Sequence, residues 1–174
     1  MISLVGLPGS GKTTVGRHLA RCLKWPFADT DGVIEAQLGC AIGHCFETHG
    51  EAFFRDLEVA VVDRLTQTHT GVLSTGGGVV LRPENRQHLR QRSYVIYLNA
   101  SPDALFERLR HDTRRPLLQV ADPLAQLRNL HALRDPLYRQ TAHFTLDTGD
   151  HAVVAAIVNQ ITKQLAHAGI WPAA

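Results

Sequence analysis

The chain is poor in what would tie it to a membrane, a nucleic acid or an oxidising compartment. Cysteine occurs three times in 174 residues, at Cys22, Cys40 and Cys45. An odd number without the spacing of a disulfide framework points to a reducing compartment. The net charge is only +2, and no run of lysine or arginine forms a basic arm that would ask for nucleic acid. No apolar run approaches the ~20 residues needed to cross a bilayer. The run Ile2 to Val5 stops at a glycine, which is unlike a signal peptide. These absences lead us to expect a cytoplasmic protein with neither a membrane nor a nucleic-acid partner. Metal-binding patterns are missing too: the ten histidines are scattered, with no H-x-x-x-H or H-E-x-x-H. Cys40, His44, Cys45 and His49 do cluster, but a zinc site pairs such a group with a second close pair, and none follows. Small residues packed on a helix face account for them.

What remains is the composition of an ordinary folded protein, 44% hydrophobic and 20% charged, in a length that suits one domain over residues 1–174. Arginine far outnumbers lysine. That suits planar recognition of phosphate or carboxylate, although it is also common compositional drift.

The most informative stretch is Met1 to Thr14. Ile2 to Val5 has the length of a buried strand, and Gly6-Leu7-Pro8-Gly9-Ser10-Gly11-Lys12-Thr13 fits G-x-x-x-x-G-K-[ST] at every fixed position. Glycines let such a loop bring backbone N–H groups close to a polyphosphate. Lys12 is expected to reach the β- and γ-phosphates and the Thr13 hydroxyl to ligate Mg²⁺. Val15, Leu19 and Leu23 then recur at helical spacing, so a helix should point its positive N-terminus at the same phosphates. Gly9, Ser10, Gly11, Lys12, Thr13 and Thr14 are therefore the candidate residues for binding a nucleoside triphosphate.

Further along, a strand over 25–28 is expected to end at Asp29-Thr30-Asp31, two carboxylates one residue apart at the end of a strand where ligands bind in open α/β sheets. They could flank Mg²⁺ or hold a hydroxyl nucleophile, and Asp31 could equally cap the helix that follows. Asp29-Thr30-Asp31-Gly32 also matches the D-x-x-G of GTPase switches, but it lies too close behind the phosphate loop, and no N-K-x-D guanine reader occurs. A long amphipathic helix should begin at Glu51 and run to about Leu65. Arg55 in its early turns either pairs locally with Glu51 or Asp56 or faces an anion. A third strand over 71–75 ends in Gly76-Gly77-Gly78, which suggests close backbone approach to substrate and the transferred phosphate. A helix over 83–92 and the buried strand Tyr94 to Leu98 follow. Arg108 to Arg115 is a dense basic segment that could close over phosphates. Asp122 to Ala142 reads as a helix interrupted around Arg134-Asp135-Pro136, before a strand over 144–147 and a closing helix striped by Ile157, Ile161 and Leu165. Strand and helix alternate throughout, which implies a three-layer α/β/α fold around a five-stranded parallel sheet.

Taken together, the phosphate loop, Asp29-Thr30-Asp31, Gly50-Glu51-x-x-Phe54-Arg55, Thr75-Gly76-Gly77-Gly78, Arg115-Pro116-Leu117-Leu118 and Arg134-Asp135-Pro136-Leu137-Tyr138 resemble the shikimate kinases over the whole chain. The loop alone is shared widely; the other five pieces, in this order and spacing, are far more specific. The resemblance implies a P-loop, nucleoside-monophosphate-kinase-like fold with a substrate-binding segment over about 31–61 and a lid over about 111–122. It implies that ATP and shikimate are the partners, that Mg²⁺ is the cofactor, and that the protein is a monomer. The reaction implied is transfer to the 3-hydroxyl of shikimate, in the route to aromatic amino acids. By the same resemblance Asp31 would hold the substrate hydroxyls and take a proton, and Arg55 with Arg134 would clamp its carboxylate. Gly76, Gly77 and Gly78 would lie against substrate, with Gly77 and Gly78 also at the γ-phosphate. Arg115 would be the lid cation, so that Lys12, Asp31 and Arg115 form the catalytic set. Arg108 would stack on adenine, and Asp29 would stand behind Thr13 in the Mg²⁺ shell. The alternatives are a related small-molecule kinase of the gluconate type, or a nucleotide-binding regulatory module without catalysis.

Overall fold

The computed structural model describes residues 1–110, 120–149 and 153–171. Among them, five strands form one parallel sheet: β1 (Ile2–Val5), β2 (Phe27–Asp29), β3 (Val72–Ser74), β4 (Tyr94–Asn99) and β5 (Phe144–Asp147), in the order β2-β3-β1-β4-β5. The register sets Ile2 between Val72 and Tyr94, so β1 is the middle of the sheet. Alternation along each strand divides the apolar side chains between two faces. Ile2 and Leu4 of β1, with Ile96 and Leu98 of β4, pack under α1 (Lys12–Leu23) and α7 (Val154–His167). Val5, Val95 and Tyr97 pack against α3 (Ile42–Thr68), α4 (Pro83–Arg92), α5 (Pro102–Leu109) and α6 (Pro123–Thr141). Each large aliphatic chain buried in this way contributes about 1.5–3 kcal/mol. No helix among the described residues is long and apolar enough to cross a membrane.

This layering places the site. The chain leaving β1 turns to one face and the chain leaving β3 to the other, so their loops part above the carboxyl ends of the strands and leave a crevice.

Several boundaries differ from those expected. The second strand begins at Phe27 rather than Trp25, because Lys24 closes α1 in a left-handed turn (φ 57°) and Trp25 packs edge-on against Trp171. The strand consequently reaches Asp29. Asp29, not Asp31, caps the next helix, α2 (Thr30–Leu38), by accepting the Asp31 N–H at 3.1 Å. The helix expected from Glu51 is the second piece of a longer element: a first piece from Ile42 precedes it, and the two meet at Gly50 (φ 81°, ψ 170°), a conformation that side chains other than glycine avoid. Ile34, Cys45, Phe54 and Val61 join α2 to α3 in a small core of their own, and Cys45 is simply part of that packing. No group of three metal-ligating side chains forms among the described residues. The interruption expected near Pro136 is also absent: α6 runs unbroken to Thr141. Proline there removes the donor for the Ala132 carbonyl, but its ring lies on the exposed side while Leu130, Tyr138 and Thr141 hold the helix to the core.

Candidate active site

At the carboxyl end of β1 the loop from Gly6 to Gly11 is held open by its own backbone. Gly9 and Gly11 take φ of 83° and 89°, and Gly11 opens α1 with no side-chain cap. The first turn of α1, Lys12 to Thr14, borders the crevice, and the N-terminus of a helix favours an anion there. Lys12 is nearly buried, and its ammonium donates to the carbonyls of Gly6 and Leu7, each at 2.8 Å. In this state it braces the loop from which it would reach a phosphate.

Asp29 sits between two loops. Its Oδ2 accepts from the Thr13 hydroxyl at 2.8 Å, while its Oδ1 holds the Asp31 N–H. With its proton on Asp29, the Thr13 oxygen accepts from the Ser74 hydroxyl at 3.3 Å and has a second lone pair for a cation; with the carboxylate beside it, it makes an all-oxygen donor set of the kind Mg²⁺ takes along with phosphate and water. Asp31 projects one residue further, off the first turn of α2. Burial chiefly, then the neighbouring Asp29 charge, pushes its carboxyl up to about 6, against the opposing pull of Lys12.

The three glycines after β3 are there because the side chains around them leave no room. A Cβ on Gly76 would lie 2.6 Å from Asp31 Oδ1 and 3.0 Å from Glu58 Oε1, one on Gly77 would strike the ring of Pro8, and one on Gly78 would strike the Arg55 guanidinium. Gly76 N–H is fixed by the Thr30 hydroxyl at 3.0 Å. The Gly77 carbonyl accepts from Arg134 Nη1 at 3.0 Å and from the phenol of Tyr138. The glycine loop thus touches the phosphate loop on one side and both arginines on the other.

Arg55 pairs with Glu51 at 3.1 Å, as one local reading of the helix allowed, but its closer partner is Glu58, at 2.7 Å. Glu58 is fully buried and its Oε1 has no hydrogen-bond partner. Burial raises its pKa, with Arg55 pulling the other way. A carboxylate spaced with Phe54, Val61 and Val62 on the buried side of α3 was the sequence signal for this residue, and it went unread. Tyr138 was in view only as part of a motif.

A cavity of about 710 Å³ runs along this crevice, bordered by Gly9, Lys12, Thr13, Asp29, Asp31 and Gly77 among others. Gly11, Thr14 and Arg108 also face it. Arg108 lies at its far end, donating to the carbonyls of Thr148 and Gly149 at 3.3 and 2.7 Å. Arg55, Gly76, Gly78 and Arg134 are not on that wall; they form the adjoining cluster, reached through Asp31 and Gly77. Ser10 is buried beneath the loop, 3.5 Å from Lys12 Nζ. Arg115 lies outside the described residues, as do residues 111–119 of the lid expected over about 111–122.

The family model for shikimate kinase matches residues 8–166. A shikimate kinase of Paracidovorax citrulli is 56% identical, with 98% of this chain and 94% of that one covered. One from Ralstonia nicotianae is 54% identical, over 97% of this chain and 88% of its own. Among solved structures, the shikimate kinase of Acinetobacter baumannii in complex with shikimate superposes with a TM-score of 0.92 at 42% identity, covering 98% of this chain and 94% of that one. A family model that matches nearly the whole chain, relatives more than half identical to it and a shared fold lead to one conclusion: the chain belongs to the shikimate kinase family.

Proposed function

We propose that the chain transfers the γ-phosphoryl group of ATP to the 3-hydroxyl of shikimate, giving ADP and shikimate 3-phosphate. The observation that carries this reading is the meeting of a phosphate loop and a half-buried aspartate in one crevice, with two arginines on the glycine loop that adjoins it. The N–H groups at the start of α1 bind the β- and γ-phosphates, and Lys12 leaves the Gly6 and Leu7 carbonyls for them. Thr13, with Asp29 behind it, would hold Mg²⁺, which when bound would supply charge neutralisation for the transfer. Arg55 and Arg134 take the substrate carboxylate, which a guanidinium meets with two parallel hydrogen bonds. That anchoring turns the hydroxyls toward Asp31.

Asp31 then orients the attacking hydroxyl. As the new O–P bond forms and the bond from the γ-phosphorus to the bridging oxygen of ADP breaks, the hydroxyl proton passes to the Asp31 carboxylate. A carboxyl with pKa near 6 is a better proton acceptor than one in water and is still ionised at neutral pH. Positioning and charge stabilisation do most of the work in such a transfer. Arg115 supplies a further cation over the phosphates in the same reading, and Arg108 stacks on adenine. The protein acts as a monomer in the cytoplasm.

The test is ADP release from ATP and Mg²⁺ with shikimate, gluconate or quinate as acceptor. A large rise with shikimate alone is expected. Turnover with gluconate would instead support the gluconate-type kinase. ATP binding without turnover on any acceptor would leave a regulatory module.

A further inference from the structure

The polar groups that fix Arg134 are not exhausted by the residues assigned so far. Arg134 and Tyr138 stand one turn apart on α6, on the side that faces the glycine loop, and both donate to the same atom, the Gly77 carbonyl oxygen. Tyr138 is fully buried, and its ring stacks on Tyr97 at 4.9 Å between centroids. Its phenol is therefore fixed by packing, whereas Arg134 is only half-buried and rests on the Gly77 carbonyl. Gly77 in turn is wedged against Pro8 of the phosphate loop.

We propose that Tyr138 is a positioning residue for the acceptor: its phenol fixes the Gly77 carbonyl, which fixes one edge of the Arg134 guanidinium and leaves the other N–H groups aimed at the substrate carboxylate. A carbonyl oxygen has two lone pairs, so it holds both donors at once. Without the phenol, that carbonyl is oriented by Arg134 alone, and the two groups move together. Burial pushes the Tyr138 pKa up, so the phenol remains a donor at every working pH.

This inference rests on the acceptor reading above, and its test separates the two. Tyr138→Phe keeps the ring against Tyr97 and removes only the hydroxyl. For a hydrogen bond of ordinary strength, Kd and KM for shikimate should rise about fivefold, with kcat and KM for ATP within twofold of the parent. In an Arg134→Ala background, Tyr138→Phe should leave Kd for shikimate, measured by calorimetry, where it was, because the group being positioned is gone. Unchanged shikimate affinity in Tyr138→Phe with a lowered melting temperature would overturn the proposal and leave Tyr138 a packing residue. Equal losses in both backgrounds would overturn it as well. Failure of the parent protein to phosphorylate shikimate would overturn the acceptor reading instead.

Discussion

Asp29 and Asp31 both border the crevice and are held differently: Asp29 accepts from the Thr13 hydroxyl and the Asp31 N–H, while the Asp31 carboxyl lies against Gly76. The Asp31 pKa near 6 has a definite sign in both activity and stability. If its carboxylate takes the proton, kcat/KM for shikimate should fall as pH drops through about 6, and Asp31→Asn should abolish turnover at every pH while ATP still binds. A pH profile of both proteins checks this; a parent profile flat from pH 5 to 8 would remove Asp31 from proton transfer. For folding the sign reverses: a raised carboxyl favours the native state below its ordinary 3.8, and that advantage is lost as pH rises through about 6. The two carboxylates were legible in the sequence as a pair, but their division of labour was not. It depends on which oxygen meets Thr13, sixteen residues away. The spacing of Glu58 marks it as a buried carboxylate, but not the convergence of Arg55, Asp31 and Gly76 around it in three dimensions.

Secondary structure was most legible where the pattern is local. The sheet strands and α1 announce themselves by apolar spacing. The first piece of α3 does not: it is short, ends at the bend at Gly50, and packs Phe46 against Phe54 of the second piece. Nothing lies within 4 Å of a Cβ built on Gly50, so Gly50→Ala would suffer from backbone conformation alone. It should lose about 1–3 kcal/mol, read from its denaturant midpoint. Full stability would show that α3 tolerates a straighter path. The failure at Pro136 has the opposite cause: a local rule against proline inside helices was overridden by the packing of Tyr138 and Leu130. At the start of β5, His143 behaves as part of the sheet ladder. Its N–H donates to the Val95 carbonyl at 2.8 Å, and its ring Nδ1 accepts the Val95 N–H at 3.0 Å. Partial burial, then Arg90, lowers its pKa below the ordinary 6.5. The stability it gives is therefore complete above about 6.5 and declines as pH falls through the lowered value. His143→Asn, which keeps a side-chain acceptor that does not titrate, should show a smaller loss of denaturant midpoint between pH 7.5 and 5.5. An identical loss would place the acid sensitivity elsewhere.

For the molecule as a whole, ligand binding should be felt as stability. At a concentration a hundred times its Kd, ATP with Mg²⁺ should add about 2.7 kcal/mol, or roughly 5–10 °C of melting temperature in a domain of this size. Thr13→Ala or chelation should remove the part that depends on the cation; a shift identical with and without Mg²⁺ would argue against Thr13 as a ligand. The fold class was legible from alternation of strand and helix, but the strand order was not, since it follows from which face each connection takes. That order also has a consequence for synthesis. The Gly77 carbonyl is made early, and its two donors, Arg134 and Tyr138, lie 57 and 61 positions later. A nascent chain therefore has its phosphate loop, Asp31 and Arg55 complete long before Arg134 and Tyr138 are made. Released after β4, such a fragment would carry one of the two arginines proposed for the acceptor and lack the other.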